Sequence, residues 1–148
     1  MTFSIYLSGE IHTDWREQIK QGIANNNLNI TVYGPVTDHD ISDNVGIAIL
    51  GSEENAFWKD HKGSKINALR TGTFIKKADI VIIRFGDKYK QWNAAYDAGL
   101  ATGLGKPIIV MHAADLNHPL KEIDGTALAV TETPQQVVEI LKYISRPA

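Results

Sequence analysis

The residues whose types and spacing could do chemistry gather first around Asp97. Read as a helix over residues 92 to 103, the segment puts Ala94, Ala98 and Ala101 on one flat stripe suited to lying against a sheet. Asp97 falls beside that stripe and shares a face with Asn93 one turn earlier, so an amide and a carboxylate point together toward the helix N-terminus. Two readings of Asp97 stand. It is either a solvated acid favoured by the helix dipole, or an ionised carboxylate able to attack a sugar carbon as an N-glycosidic bond breaks. On either reading its place in the helix predicts a low pKa. Trp92, Tyr89 and Tyr96 surround the same polar face, as packing or as platforms for a purine or pyrimidine ring.

Other candidates are weaker. Asp38, His39, Asp40 and Asp43 crowd together without calcium-loop spacing or a helical pair of histidines, so a solvated or substrate-lining loop is expected and no metal. His12, His61, His112 and His118 have no partner in sequence and read as surface or supporting groups. Lys59, Asp60, Asn67 and Arg70 read mainly as a solvated helix face. No serine elbow, dinucleotide fingerprint or phosphate loop is present, which removes serine hydrolases of that type, classical dehydrogenases and nucleotide-driven motors. No cofactor is expected; a flavin carrier would need a hydroxyl-rich phosphate loop that is missing.

These groups need elements to hold them. Phe3 to Leu7 reads as a first strand stopped at Ser8, Gly9 and Glu10. Asp14 with Glu17 opens a helix carrying Trp15, Ile19 and Ile23, and Asn29 to Tyr33 is a second strand closed by Gly34 and Pro35. Between residues 36 and 63 the spacing predicts a short helix over Val45 to Leu50, capped by Ser42 or Asp43. Ser64 is expected to cap a further helix ending at Lys76 and Lys77. Ile80 to Phe85 and Ile108 to Met111 are apolar enough to be strands covered on both faces. One helical turn is expected after Pro119, a weak strand over Ala127 to Val130, and a last helix capped by Thr133 with Pro134 at its first position.

Strand and helix alternate about five times, predicting an α/β architecture: an open parallel sheet with helices on both faces and right-handed crossovers. In such sheets ligands bind beyond the C-terminal strand ends where strand order reverses. That rule draws Ser8, Gly9 and Glu10, then Gly86 and Asp87, then the Asn93 and Asp97 face into one crevice. The 148 residues suit a single domain, 1–148, able to bury roughly 70% of its unfolded surface. A net charge of -2 argues against nucleic acid or anionic membranes as partners, and the absence of cysteine rules out disulfides and thiolate chemistry. With neither a leader nor a membrane span expected, a cytoplasmic protein is the default.

Several segments together resemble a known superfamily. Ile5 to Gly9, Ala78 to Ile82, Asp97-Ala98-Gly99 and Gly105 to Ile109 are similar to the nucleoside 2-deoxyribosyltransferases. Gly9 to His12, Trp15-Arg16, Gly34-Pro35, His39-Asp40, Ser42 to Asn44, Lys59-Asp60 and Lys88 to Asn93 resemble its YtoQ-like branch. The resemblance implies a flavodoxin-like three-layer sandwich with strand order 2-1-3-4-5. It also implies a carboxylate that moves a deoxyribosyl group between bases, and sites completed by a neighbouring subunit, hence a homo-oligomer, at least a dimer. Asp97 takes the place of the family glutamate. It is one methylene shorter, and a reacting atom displaced by about an ångström costs on the order of a hundredfold in rate. Asn93 and Ala94 replace a Gly-Thr pair, and Glu10 replaces a proline. By this resemblance Asp97 is the nucleophile or electrostatic stabiliser; Glu10, an extra carboxylate where the transferases carry proline, reads as a general acid, a base or itself the reactive group. Asn93 and Glu10 position the sugar, while Tyr6, Asp87 and Trp92, beside Gly9, hold the base of a nucleoside or nucleotide. The alternative is a non-enzymatic nucleotide-binding module on the same fold.

Overall fold

The computed structural model describes residues 1–147. Five strands form one sheet in the order β2-β1-β3-β4-β5: β1 Phe3–Gly9, β2 Ile30–Tyr33, β3 Ile80–Arg84, β4 Ile108–Met111 and β5 Ala129–Thr131. Every pairing is parallel. The expected α/β class and strand order are both present.

Alternation along the strands divides the core in two. Ile5, Leu7, Ile82, Ile109 and Met111 meet α1 (Trp15–Asn25) and α6 (Pro134–Ile144) through Trp15, Ile19, Val137 and Leu141. Tyr6, Val81, Ile83 and Val110 face the other way, onto Ile75 of α3 (Ala56–Lys77) and Ala94, Ala98 and Ala101 of α4 (Trp92–Gly103). The alanine stripe read from sequence therefore lies flat on the sheet. Thr133 caps α6 in a full capping box with Gln136. The turn after Pro119 is α5, Lys121–Asp124.

The region from residue 36 to 63 differs from expectation. Helix α2 runs His39–Leu50, with the Asp38 side chain accepting from the Ile41 N–H, so the acidic run is a helix start rather than a loop. Helix α3 begins at Ala56, capped by Asn55, and Ser64 lies inside it. Gly63 and Ser64 resemble a break in sequence, but the helix runs through both, and the glycine that the close packing of α2 on α3 requires is Gly46. A Cβ on Gly46 would come 2.5 Å from the Gly63 backbone nitrogen, a distance open only to glycine. Gly46→Ala is therefore expected to push the hairpin apart and cost about 1–3 kcal/mol, read as a lower urea midpoint.

Candidate functional site

The site forms where β1 and β3 end side by side. Gly9 closes β1 at φ 102°, and a Cβ there would meet the Arg84 carbonyl oxygen at 2.1 Å. The chain then turns, and the Glu10 N–H donates to that same carbonyl at 3.1 Å. Gly86 leaves the space that the Glu10 side chain fills, since a Cβ there would lie 2.4 Å from Glu10 Cγ. The two strand ends thus interlock through glycine on each side.

Asp97 is buried, 9% exposed, at the second turn of α4. Ser8 Oγ donates to its Oδ2 at 2.5 Å. Ser8 and Tyr6 are two apart on β1 and share its α4 face, so strand alternation delivers the hydroxyl to the carboxylate. Burial raises the Asp97 pKa above the ordinary carboxylate range, and the Ser8 hydrogen bond only partly offsets it. This reverses the low pKa expected from helix position: desolvation outweighs the dipole. Asn93, by contrast, is exposed, so the pair does not form one shared polar face.

Glu10 is held differently. Its carboxylate accepts from the Thr13 N–H at 2.9 Å, the Thr13 hydroxyl at 2.6 Å and the His12 N–H, and Oε2 stands 3.5 Å from Arg84 Nε. Burial opposes its ionisation, but these donors and the Arg84 charge win, and the pKa is lowered. Glu10 thereby stays an anion at neutral pH, suited to a base or electrostatic role rather than to an acid. Because its folded pKa lies below the unfolded one, its stabilising contribution is complete above the unfolded pKa and is lost as pH falls through the folded one. Glu10→Gln is expected to lose about 1–3 kcal/mol at pH 7, with the gap to wild type closing in acid, as urea titrations at several pH values would show.

Arg16 fastens the loop from behind. Its guanidinium donates to the carbonyls of Leu7 at 3.2 Å, Glu10 at 2.5 Å and Gly9 at 2.9 Å, and Trp15 Nε1 donates to the Glu10 carbonyl at 2.7 Å. Tyr6 is fully buried with its hydroxyl 3.4 Å from Thr71 Oγ1, and burial raises its pKa. With no exposed surface, neither its ring nor its hydroxyl is open to a ligand in this structure. Asp87 and Trp92 are exposed, Trp92 at 73%, and Lys90 Nζ lies 5.7 Å from the Trp92 ring centre. Tyr6, Ser8, Gly9 and Glu10 thus follow one another at the end of β1, with Asp97 bound to Ser8, while Asp87, Trp92 and Asn93 are exposed on the loop after β3 and the start of α4.

Three rings from three segments meet. His12 stacks on His39 at 5.6 Å and meets Tyr89 at 4.8 Å between ring centres, joining the loop after β1, the start of α2 and the loop after β3. The sequence left His12 without a partner and grouped His39 with its acidic neighbours, because the rings that meet come from distant segments. His112 is buried, with Nε2 3.1 Å from both Asp124 carboxylate oxygens, and it ties the end of β4 to α5.

Residues 6–145 match the family model described as Nucleoside 2-deoxyribosyltransferase YtoQ. The chain belongs to this YtoQ family. It is 48% identical over 144 residues to the uncharacterized protein YtoQ of Bacillus subtilis (strain 168), covering 97% of each chain. Among solved structures, a conserved protein from Enterococcus faecalis V583 aligns with TM-score 0.64 at 14% identity, over 97% of this chain and 99% of that one. A 2-deoxyribosyltransferase from the psychrotolerant Bacillus psychrosaccharolyticus aligns with TM-score 0.55 at 20% identity, over 91% and 90%. These likenesses establish a shared fold for the YtoQ family and the transferase. Among the described residues no helix is long and apolar enough to cross a membrane.

Proposed function

We propose that this YtoQ-family protein acts on the N-glycosidic bond of a (deoxy)nucleoside or nucleotide, by transfer or by hydrolysis. The observation that carries the reading is the buried Asp97 carboxylate, oriented by Ser8 at the C-terminal end of β1. With Oδ2 held, Oδ1 attacks C1′ while the bond from C1′ to the base nitrogen breaks and its electron pair leaves with the base, which is then protonated. The second step reverses the first: a new base nitrogen, or water, attacks C1′ and frees the carboxylate. Desolvation makes the carboxylate more basic and hence more nucleophilic, while the hydroxyl keeps it oriented. Glu10 acts as a fixed negative charge or base beside the sugar with Asn93; Asp87 and Trp92 contact the base, and the fully buried Tyr6 supports the strand end beneath them.

Incubation with a deoxynucleoside and a free acceptor base, followed by chromatography, tests this reading. New nucleoside means transfer and free base alone means hydrolysis. Binding without either product supports the second reading, a nucleotide-binding module, which the shorter carboxylate and the exposure of Trp92 and Asn93 favour. Assembly with a second copy belongs to the same proposal. The exposed Ile49, Leu50, Phe57 and Trp58 at the tip of the α2 and α3 hairpin give it an apolar surface, and sedimentation of Phe57→Ser against wild type would show whether that surface holds copies together.

A further inference from the structure

A concavity opens at the ends of β1 and β2, and its chemistry is cationic. It measures about 250 Å³ and is walled by Arg16, Lys20 and Arg70, with Tyr33, Gly34 and Thr37 along its rim. One carboxylate, Glu17, also lines it and is paired with Lys20 at 2.6 Å. Three cations against one anion leave an excess of positive charge in a chain whose formal net charge is -2.

Arg16 makes this excess unusual. Its side chain is 7% exposed and its hydrogen bonds go to neutral carbonyls, with no ion pair to a carboxylate among the described residues. Desolvation pulls its pKa down to about 10, so it remains charged at neutral pH. A buried cation without a hydrogen-bonded counter-ion is costly, and guanidinium groups suit phosphate oxygens. Arg70 sits across the pocket, exposed, its only protein hydrogen bond among the described residues a long 3.4 Å contact to the Gly34 carbonyl.

The pocket is tied to the Asp97 site through Arg16, which lines the pocket and donates to the carbonyls of Leu7, Gly9 and Glu10, on either side of the Ser8 whose hydroxyl holds Asp97. Tyr6 lies between pocket and site, its hydroxyl 3.4 Å from Thr71 Oγ1, the neighbour of Arg70 in α3, and its side chain on the same strand face as the Ser8 that holds Asp97. We propose that the pocket walled by Arg16, Lys20 and Arg70 binds a phosphate group, and that the ligand of the Asp97 site is therefore a nucleoside monophosphate rather than a nucleoside. The second half of this statement rests on the glycosidic reading of Asp97; the anion site itself does not.

Calorimetric titration with inorganic phosphate tests the anion site directly. Saturable binding is expected in wild type and in Asp97→Asn, weakened about tenfold or more in the double variant Lys20→Ala/Arg70→Ala, the scale of lost charge-assisted hydrogen bonds. Both substituted side chains are exposed, and a circular dichroism melt matching wild type would establish that the variant is folded. Unsaturable binding, or binding indifferent to the double variant, overturns the proposal. In the same titration a deoxynucleoside 5′-monophosphate is expected to bind about tenfold or more tighter than its deoxynucleoside, an advantage the double variant loses. Equal affinities in wild type would overturn the assignment of the ligand. Phosphate bound as expected but no glycosidic turnover of any nucleotide would count against the role of Asp97 alone.

Discussion

Asp97→Asn is expected to lower turnover by on the order of 10⁴-fold while raising the melting temperature at neutral pH by a few degrees. The two effects share one cause. Asparagine keeps an oxygen for the Ser8 hydroxyl and nearly the same volume, so the packing against the alanine stripe survives. What it removes is the charge. Burial holds the folded pKa of Asp97 above its unfolded value. The stability tied to that shift is therefore complete below the unfolded pKa and lost as pH rises through the folded one. At pH 7 the ionised carboxylate burdens the fold, and the amide does not. Melts at pH 7 and near pH 3 separate this from a packing effect, because the gain should vanish where aspartic acid is itself neutral. The acid limb of the pH profile should likewise lie above the usual carboxylate range, since only the anion attacks. A variant that is inactive but no more stable than wild type would contradict the desolvated state assigned to Asp97. Full activity would remove it from the mechanism.

How far the sequence reveals this site depends on how local each signal is. The strands were legible because their apolar runs are continuous, and so was α6, whose cap and proline are adjacent in sequence. Asp97 was legible as a position, since helical periodicity places it beside the alanine stripe. Its protonation behaviour was not: the helix dipole is a local property, whereas desolvation depends on how deeply the whole domain packs around residue 97. Ser8 left a signal that was available, a hydroxyl two positions from Tyr6 on the same strand face, but nothing local pairs residue 8 with residue 97. Arg16 left almost none, because its partners are backbone carbonyls, which carry no sequence signature. The start of α3 was misplaced for a related reason. The cap is Asn55, and the contact that brings α2 close to α3 at Gly63 runs through Gly46, far off in sequence, so no local signal carries the helix through residue 63. The union of Glu10 with Arg84 and Gly86 is equally non-local, though it decides that Glu10 is an anion.

Gly9→Ala is expected to cost more than about 3 kcal/mol and to remove most of any activity in the protein that still folds. Two penalties coincide at this residue. A φ of 102° is accessible to glycine and strained for alanine, and the added carbon would stand 2.1 Å from the Arg84 carbonyl oxygen, with backbone on both sides of the collision. Neither atom belongs to a flexible side chain, so relief requires β1 and β3 to separate at their C-terminal ends. That movement breaks the bond from the Glu10 N–H to the Arg84 carbonyl, and it loosens the Arg16 contacts to the carbonyls of Gly9 and Glu10. It also shifts Ser8, the neighbour that orients Asp97; a displacement of about an ångström there is worth on the order of a hundredfold in rate. Gly99→Ala, two residues from Asp97 in α4, is the control. Gly99 is exposed within α4 and a Cβ there meets nothing within 4 Å, so alanine should stabilise the helix by up to about 1 kcal/mol. Urea denaturation of the two variants should therefore move in opposite directions. If Gly9→Ala unfolds at the wild-type midpoint, the interlock between β1 and β3 does not hold the site in the way its geometry indicates.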